Sequence, residues 1–435
     1  MTATQSTAGN RRRARAGWLL ASAGGLAVAG ALVPFIPMTP AGAAAWLAAI
    51  LIWPDISYRT RIQTGILSAI GVVGMAWGYS QSISPDLGRA LSANVGLIGL
   101  LIGVSFLQLV AMPADAKHQP LPRGRDAFWT TMIGAHLFGA VINLSSSLIV
   151  ADRIRVRGRL APRQTLLLVR ALTAAAFWSP FFGSMAAALV FAPGANLGLL
   201  MIAGVPITCI ALLFTWQTVG RRASPQFVGY PIRYDSLRVP GLMAVAVIII
   251  HLLYPSLSVI ALISLLGPLL AVSMLLPRGG YGRRQLHQQV VANLPRMGNE
   301  LGLFLSAGVL AAGLGSVLAA TGDWLPFVDY GPVEASLALI CMVLLGAVGV
   351  HPVISVAALA TLLAPLQPNQ SLLAMTFLCG WGVGVAVNPM SGVALSFQGR
   401  YGVDGFTIPR LNAGYGAVMT LVCCVALTAL WWVVK

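Results

Sequence analysis

The sequence predicts an all-α polytopic membrane protein with about eleven transmembrane helices, two re-entrant hairpins and two broken helices, arranged as an inverted-topology repeat. Three observations support this fold class. The chain is 57% hydrophobic and 9% charged, with a mean hydropathy of +0.83. Many of its apolar runs approach the ~20 residues that a helix needs to cross a bilayer. Matching interruptions also occur in the two halves of the chain, a pattern typical of an internal structural repeat.

The interruptions follow the same order in both halves. Gly-Ala-Val at 139–141 precedes Ser-Pro-Phe-Phe-Gly at 179–183, and Gly-Ala-Val at 346–348 precedes Asn-Pro-Met-Ser-Gly at 388–392. A proline inside an apolar helix removes a backbone donor and clashes with the preceding turn. Pro180 and Pro389 in these motifs therefore predict one broken helix in each half.

The charge of the chain indicates its topology. The net charge is +16, and nearly all of it comes from arginine. Cytoplasmic loops of membrane proteins collect Lys and Arg, so we interpret the arginines as topology signals and predict no nucleic-acid partner. Arg11–Arg15 place the N-terminus, residues 1–16, in the cytoplasm. The apolar run at 17–36 is longer than the core of a signal peptide and is interpreted as a membrane anchor.

Following the arginines along the chain gives two repeats joined by a cytoplasmic linker at 223–240. The first repeat, 17–222, is predicted to contain crossings at 17–36, 41–53, 63–82 and 92–112, a hairpin at 127–151, a broken helix at 165–191 and a crossing at 197–219. The second repeat, 241–435, is predicted to contain crossings at 241–254, 257–276 and 301–320, a hairpin at 337–363, a broken helix at 371–397 and a final crossing at 411–434.

The first hairpin is predicted because the apolar stretch at 127–151 has basic residues on both sides. Lys117, Arg123 and Arg125 precede it, and five arginines follow it between 153 and 163. A single crossing would place one basic cluster outside, whereas a hairpin that enters from the cytoplasm keeps both inside. Its centre, the predicted tip at 140–147, is polar enough for the non-helical backbone of a buried tip. The alternative is an ordinary helix with a serine-rich face.

The second hairpin is predicted to enter from outside. The stretch at 337–363 has no basic flank and contains Gly-Val-His-Pro at 349–352. If this stretch were a crossing, Arg400 and Arg410 would be external. With a hairpin, both arginines remain cytoplasmic and the C-terminus lies outside.

The order of hairpin, broken helix and helix in each half resembles the ion transporter superfamily of elevator-type secondary carriers. Within it, the sequence resembles the divalent anion:sodium symporters and the membrane subunits of tripartite dicarboxylate transporters. Each tip of the symporters carries Ser-Asn-Thr, whereas this chain has Asn-Leu-Ser-Ser at 143–146 and Val-His-Pro-Val at 350–353. The resemblance implies symport by an elevator mechanism, a homodimer, and residence in the lipid bilayer of the cytoplasmic (inner) membrane.

A binding site for a small organic anion, carboxylate-bearing by resemblance, is expected at the tips and breaks. A broken helix leaves backbone N–H and C=O groups without helical partners. Helix N-termini attract anions, and carbonyl ends attract cations. The predicted substrate-binding residues are Asn143, Ser145, Ser146, Ser179, Pro180, His351, Pro352, Asn388, Pro389 and Ser391.

Two coupling ions are compatible with the sequence. Na⁺ would lie near Asn143, Ser179 and Asn388, and would be the only bound cofactor. A proton would be carried by His351, with His136 as the second candidate, because histidine titrates near neutral pH. The sequence contains no supported enzyme motif, so the chain is not expected to be an enzyme. The alternative functions are an ion or oxyanion exchanger of the same superfamily, and a channel or partner subunit.

Overall fold

The computed structural model describes residues 3–33, 35–111, 120–231, 234–322 and 327–435, with the side chains of 3–8, 111, 234–237 and 240 left out. Lys117, used above as a topology signal, lies outside the described residues. The described residues form helices and connecting segments; only two isolated β-bridges occur among them, Arg123 with Val228 and Val156 with Arg159. The all-helical class predicted from the sequence is confirmed for this part of the chain.

Nineteen α-helices lie within the described residues. The first half of the chain contains α1 (Ala3–Leu32), α2 (Thr39–Ile52), α3 (Tyr58–Ser80), α4 (Leu87–Ser92), α5 (Val95–Ala111), α6 (Arg125–Ile142), α7 (Leu144–Ile154), α8 (Pro162–Ala174), α9 (Gly183–Phe191) and α10 (Leu197–Thr218). The second half contains α11 (Tyr234–Leu253), α12 (Val259–Leu275), α13 (Gly280–Gln288), α14 (Gly298–Thr321), α15 (Pro332–Ala347), α16 (Pro352–Leu363), α17 (Gln370–Val387), α18 (Gly392–Tyr401) and α19 (Thr407–Val434).

Eight helical segments among the described residues are long and apolar enough to cross a membrane. They coincide with eight of the predicted crossings. The predicted crossings at 41–53, 165–191 and 241–254 are not among them, so the total of about eleven stays a prediction. The eight segments are Gly9–Leu32, Tyr58–Ser80, Leu87–Val110, Leu197–Arg222, Val259–Arg278, Gly280–Thr321, Gln370–Tyr401 and Thr407–Val434.

The chain divides into two compact units, and each takes one segment from either half of the sequence. Unit 1 comprises Met1–Met112 and Val239–Pro326. Unit 2 comprises Pro113–Arg238 and Phe327–Lys435. Both predicted hairpins and both predicted broken helices fall in unit 2. The repeat boundaries inferred from the sequence stay a prediction, since the units cut across the repeats.

In unit 1, small residues bring helix backbones into close contact. A Cβ at Gly71 or Gly74 of α3 would overlap the backbone of α14 at Val309 or Gly313. Such contacts are how helices associate in lipid, where apolar surface alone provides no driving force. The opposite face of α3 is exposed and apolar: Ile66 is 54% exposed and Val73 66% exposed. An exposed apolar face on a glycine-packed helix is typical of contact with lipid.

The first helix begins earlier than the sequence analysis expected. Its predicted start was Gly17, but α1 begins at Ala3, so Arg11–Arg15 are helical. Arginine has a high helix propensity. Two of these arginines are also fixed by tertiary contacts, since Arg12 and Arg13 both pair with Asp55, at 2.9 and 2.7 Å. The predicted boundary followed the change in hydropathy and missed this contact.

Candidate functional site

The first hairpin turns at a single residue. Asn143 separates α6 from α7 and has φ 51° and ψ −140°. Positive φ is uncommon for residues other than glycine, and asparagine is among the few that tolerate it. The carbonyl oxygen of Asn143 accepts hydrogen bonds from the Ser146 N–H at 3.1 Å and from Ser146 Oγ at 2.7 Å. These bonds close the turn inside the predicted tip at 140–147.

The outer ends of α6 and α7 lie at the same end of unit 2. The Gln164 side-chain amide donates to Ile154 O at 2.9 Å, where α7 ends, and to Val228 O at 3.1 Å. Val228 forms a β-bridge with Arg123, just before α6 begins. The pair is therefore a helical hairpin. Its entry into the membrane from the cytoplasmic side stays a prediction.

The first broken helix is interrupted at the predicted proline. After α8 and a short 3₁₀ turn at Ala175–Phe177, the chain leaves the helix and resumes it at Gly183. The Ser184 hydroxyl of α9 donates back to Ala176 O at 2.8 Å. The Ser179 hydroxyl donates to Ala140 O in the first hairpin and accepts the Phe181 N–H at 3.2 Å. These hydroxyls satisfy backbone groups that the break leaves without helical partners.

A second hydrogen bond ties the first hairpin to the first break. Asn143 Nδ2 donates to Phe181 O at 3.0 Å. Together with the bond from Ser179 to Ala140, it fixes the hairpin tip against the interrupted segment.

In the second half an asparagine again joins hairpin and break, but it lies in the break instead of at the tip. Asn388 is fully buried, and its Nδ2 donates to Val350 O in the second tip at 2.9 Å. Its Oδ1 accepts the Met390 N–H at 2.7 Å, as Ser179 Oγ accepts the Phe181 N–H in the first half. The first residue of each proline motif, Ser179 or Asn388, thus bonds the hairpin of its own half and stabilises its own break.

The helices that follow the tips and breaks differ in how they begin. In the second half, His351 Nδ1 accepts the Val353 N–H at the start of α16, at 3.3 Å, and Ser391 Oγ accepts the Ala394 N–H at the start of α18, also at 3.3 Å. In the first half, α7 and α9 begin without a side-chain cap. An uncapped helix start presents backbone N–H groups and a partial positive charge. The Asn143–Phe181 hydrogen bond brings these two starts together.

The two halves interlock inside unit 2. A methyl group at position 392, where α18 begins, would lie 3.5 Å from Leu144 Cδ2 in the first tip. A methyl group at position 183, where α9 begins, would lie 3.8 Å from Trp381 Cζ2. Trp381 in turn meets the His351 ring edge-on, with centroids 5.6 Å apart. The second break is thus adjacent to the first tip, and the first break is connected to the second tip through Trp381.

The hairpins open at opposite ends of the second broken helix. The α18 end lies beside the outer end of α7, where Arg400 pairs with Asp152 at 3.2 Å and Tyr401 Oη donates to Leu148 O at 3.0 Å. Towards the other end, Tyr330, which precedes α15, donates from Oη to Thr376 Oγ1 in the second turn of α17, at 3.0 Å. The inverted-topology repeat stays a prediction.

The predicted site residues fall into three groups. Asn143, Ser179 and Asn388 form the hydrogen bonds between tips and breaks, and Ser146 closes the turn of the first tip. His351 and Ser391 serve as helix caps, and Pro352 is the buried first residue of α16. Pro180 and Pro389 are buried within the breaks, and Ser145 is half-buried beside the first tip. The tips and breaks, 139–146, 178–184, 346–352 and 388–392, contain no Asp, Glu, Lys or Arg.

His136 has both ring nitrogens engaged. Nδ1 lies 3.0 Å from Ala171 O, and Trp178 Nε1 donates to Nε2 at 3.2 Å. A carbonyl can only accept and an indole can only donate, so the ring is neutral with its proton on Nδ1. His136 thus joins the first hairpin to the first broken helix as a structural element.

Sequence reasoning missed Arg170. It lies on α8 and is 4% exposed. Its Nε donates to Asn412 Oδ1 at 2.8 Å, its Nη1 donates to Thr218 Oγ1 at 3.0 Å, and the guanidinium lies 4.6 Å from the centre of the Tyr415 ring. No acidic residue in the described part of the chain forms an ion pair with it. Its position inside the predicted crossing at 165–191 could have identified it, because a charged side chain within a membrane span costs free energy and is often functional.

Arg170 also acts on the second break. Asn412, which accepts from Arg170, donates from Nδ2 to Ala386 O at 2.9 Å. Ala386 lies in the last turn of α17, two residues before Asn388, where helix carbonyls lack helical partners. The positive charge of Arg170 is thus linked through one side chain to the carbonyl end of a broken helix.

Comparisons with known proteins find similarity among solved structures alone. No protein family model matches the chain, and no curated protein matches it. Among solved structures, the chain is similar to the crystal structure of the YdaH transporter from Alcanivorax borkumensis, which is described as having an unusual topology. The sequences are 16% identical, the match covers 79% of this chain and 84% of that chain, and the TM-score is 0.48. A likeness at this level carries no argument about function.

Proposed function

We propose that this protein is a secondary active transporter that moves a small organic anion, bearing a carboxylate, across the cytoplasmic membrane. The observation that carries the proposal is the convergence of two uncapped helix starts, α7 and α9, at the hydrogen bond between Asn143 and Phe181. Paired helix N-termini suit a carboxylate because their N–H groups and dipoles favour negative charge. Broken helices in both halves are the usual setting of such a site.

The charge of the surroundings favours an anion over a cation as the substrate. The tips and breaks contain no carboxylate that could neutralise a bound cation. Arg170 supplies a buried positive charge, connected through Asn412 to the second break. A buried charge acts over a longer range than an exposed one, because the surroundings screen it less.

Sodium is the coupling ion that we propose. The carbonyl oxygens of Ala140 and Val350 each accept a side-chain hydrogen bond and have a second lone pair. These oxygens lie near the predicted Na⁺ position at Asn143, Ser179 and Asn388. The neutral and fully bonded His136 is a poor proton carrier, so proton coupling would depend on His351.

The transport mechanism that we propose is of the elevator type, in a homodimer, on the basis of the family resemblance. Unit 2 contains both hairpins and both broken helices, so it would form the mobile body around the site. Their reciprocal hydrogen bonds would keep the site intact during movement. Unit 1, with its glycine-packed helices, would form the scaffold.

A ligand screen followed by an uptake assay tests the proposal. Purified protein is heated with a panel of small mono- and dicarboxylates, each with Na⁺ or with choline. We expect a sodium-dependent rise in Tm for at least one carboxylate, because ligand binding to the folded state stabilises it. The same compound should be taken up saturably by proteoliposomes. If no carboxylate shifts Tm or is taken up, the proposal is wrong.

An oxyanion exchanger is the second candidate, because uncapped helix starts also suit sulfate or a similar inorganic ion. Adding inorganic oxyanions to the same panel separates the two. A channel or a partner subunit would give non-saturable flux or no flux.

A further inference from the structure

A cavity of about 530 Å³ lies within unit 1, apart from the tips and breaks. Its walls come from α1, from Asp55 between α2 and α3, and from the chain that leads into α14. The polar residues that line it are Asn10, Arg13, Asp55, Arg296 and Asn299.

Irregular helix geometry forms one wall of the cavity. The chain passes from α13 through a π-helix at Gln289–Asn293 and a 3₁₀ turn at Leu294–Met297 before α14 begins. A Cβ at Gly17 of α1 would overlap Val290 O, so α1 contacts the π-helix backbone directly. The cavity includes the next residues, Val291 and Ala292. Single π-helical turns inside helices occur frequently at functional sites.

The cavity has an excess of positive charge. Asp55 already accepts from Arg12 at 2.9 Å and from Arg13 at 3.1 and 2.7 Å, so one carboxylate is shared by two guanidinium groups. Nη1 of Arg13 is not used in that pair. Arg296 lines the other wall, is exposed, and forms no ion pair with any residue that the structure describes. The arginines therefore outnumber the single carboxylate, and the net positive charge can attract an anion.

The cavity lies where a membrane span meets its polar flank. The apolar span Gly9–Leu32 begins beside it, and the apolar part of α14 follows Asn299. Lipid phosphates occupy this depth, and basic pockets between transmembrane helices on the cytoplasmic side hold anionic headgroups.

We propose that this cavity binds the phosphate of an anionic phospholipid. Arg13 and Arg296 would hold the phosphate from opposite walls by charge-assisted hydrogen bonds. The amides of Asn10 and Asn299 would bond the glycerol or headgroup oxygens. The acyl chains would extend from the cavity along the apolar surface of α1. The proposal is independent of the transport function.

Thermal unfolding of delipidated, full-length protein in mixed micelles tests this site. The probes are phosphatidylglycerol, phosphatidylcholine and, separately, inorganic phosphate. We expect phosphatidylglycerol to raise Tm by several degrees more than phosphatidylcholine, and high salt to remove the difference. Equal effects of the two lipids would overturn the proposal. A full effect of inorganic phosphate would show that the occupant is free phosphate.

Variants locate the effect. Arg296→Gln should weaken phosphatidylglycerol binding about tenfold, because a charge-assisted contact is lost. Arg278→Gln is the matched control and should bind as wild type, because Arg278 is exposed in the 3₁₀ turn after α12 and does not line the cavity. If Arg296→Gln fails to fold, Asn10→Asp serves as the test variant. Asn10 is exposed on α1, and an aspartate there adds a negative charge to the cavity wall and should also weaken phosphatidylglycerol binding. Unchanged lipid preference in a folded cavity variant would contradict the proposal.

Discussion

The side chain of Asn143 donates from Nδ2 to Phe181 O at 3.0 Å, across 38 positions of the chain. In the second half, Asn388 donates to Val350 O at 2.9 Å, also across 38 positions. In the first half the asparagine lies at the hairpin tip, and in the second it lies in the break. One asparagine in each half thus joins a hairpin to a broken helix. A movement of the hairpin would therefore strain or break this hydrogen bond unless the broken helix moved with it.

Replacing Asn143 should abolish transport with little loss of stability. Asn143→Gly keeps the positive φ accessible and removes the hydrogen bond to Phe181, so the two helix starts lose their fixed spacing. Asn143→Ala should be less stable than Asn143→Gly by about 1 kcal/mol, because alanine is strained at this φ. Thermal unfolding and uptake of the same preparations measure the two effects. Full uptake by folded Asn143→Gly would assign this residue to structure alone.

Asn388→Ala should cost more stability than Asn143→Gly. Asn388 is fully buried, and its loss leaves Val350 O and the Met390 N–H without these partners. Each unpaired buried group costs about 1–3 kcal/mol. Chemical denaturation in detergent compares the two variants. A smaller loss for Asn388→Ala would show that water or a rearrangement replaces both bonds.

Topology provides a separate prediction. Arg123 and Arg159 flank the first hairpin, and the structure brings its two outer ends together through Gln164 and Val228. Single cysteines at 123 and 159, in a background lacking the native five, should both resist an impermeant thiol reagent outside sealed cells. Ready labelling of only one of them would contradict a hairpin that enters from the cytoplasm.

The sequence predicted the positions of the interruptions better than their contacts. Pro180 and Pro389 mark both breaks because a proline removes a backbone donor and clashes with the preceding turn, and Asn143 lies inside the tip predicted at 140–147. The partners of these residues could not be predicted, because the pairing of Asn143 with Phe181 depends on how the hairpin packs. The capping role of His351 likewise depends on local backbone geometry.

Arg170 shows a different limit of sequence analysis. Arginines nearby at 153–163 are topology signals, and Arg170 lies only seven positions beyond Arg163. Only the fold shows that Asn412, which is 242 positions away in the chain, faces it. The hydropathy pattern could not predict the start of α1 or the total number of crossings, because hydropathy does not reveal ion pairs or interrupted helices.

The Arg170–Asn412 contact should contribute to folding stability and to the geometry of the second break. Asn412→Ala leaves Arg170 Nε and Ala386 O without their partner, and should destabilise the protein by about 1–3 kcal/mol. Asn412→Asp restores an acceptor for Arg170 but no donor for Ala386 O. If Arg170 acts through the break, Asn412→Asp should be more stable than Asn412→Ala yet still impaired in uptake. Normal uptake by folded Asn412→Asp would limit the contact to a structural role.

Coupling by sodium predicts that uptake survives the loss of His351. His351→Gln retains a polar cap for α16 but removes a titratable group. Uptake should vanish when choline replaces Na⁺ and persist in this variant. His136→Gln is the control, because that histidine is already neutral and bonded on both nitrogens. Uptake that needs a pH gradient, ignores Na⁺ and fails in His351→Gln would indicate proton coupling.

Acid should weaken the contact between α1 and Asp55. The hydrogen bond from Arg13 is the main cause that lowers the pKa of the Asp55 carboxyl below its ordinary value of 3.8. A lowered pKa in the folded state stabilises the protein above the ordinary value, and this contribution is lost as the pH falls through the lowered one. Asp55→Asn should therefore be less stable at pH 7 by up to about 1 kcal/mol, since the pair is partly exposed. The difference should shrink below pH ~4, as measured by unfolding across a pH series.

Carboxylate counterflow in proteoliposomes, compared between Asn143→Gly and Asn196→Gly, tests the central claim most directly. Asn196 caps α10 through the Leu199 N–H at 2.9 Å, away from the tips, and its replacement by glycine costs only a few tenths of a kcal/mol. We predict saturable, sodium-dependent counterflow in wild type and in Asn196→Gly, and none in folded Asn143→Gly. Equal counterflow in both variants would contradict an anion site at the starts of α7 and α9.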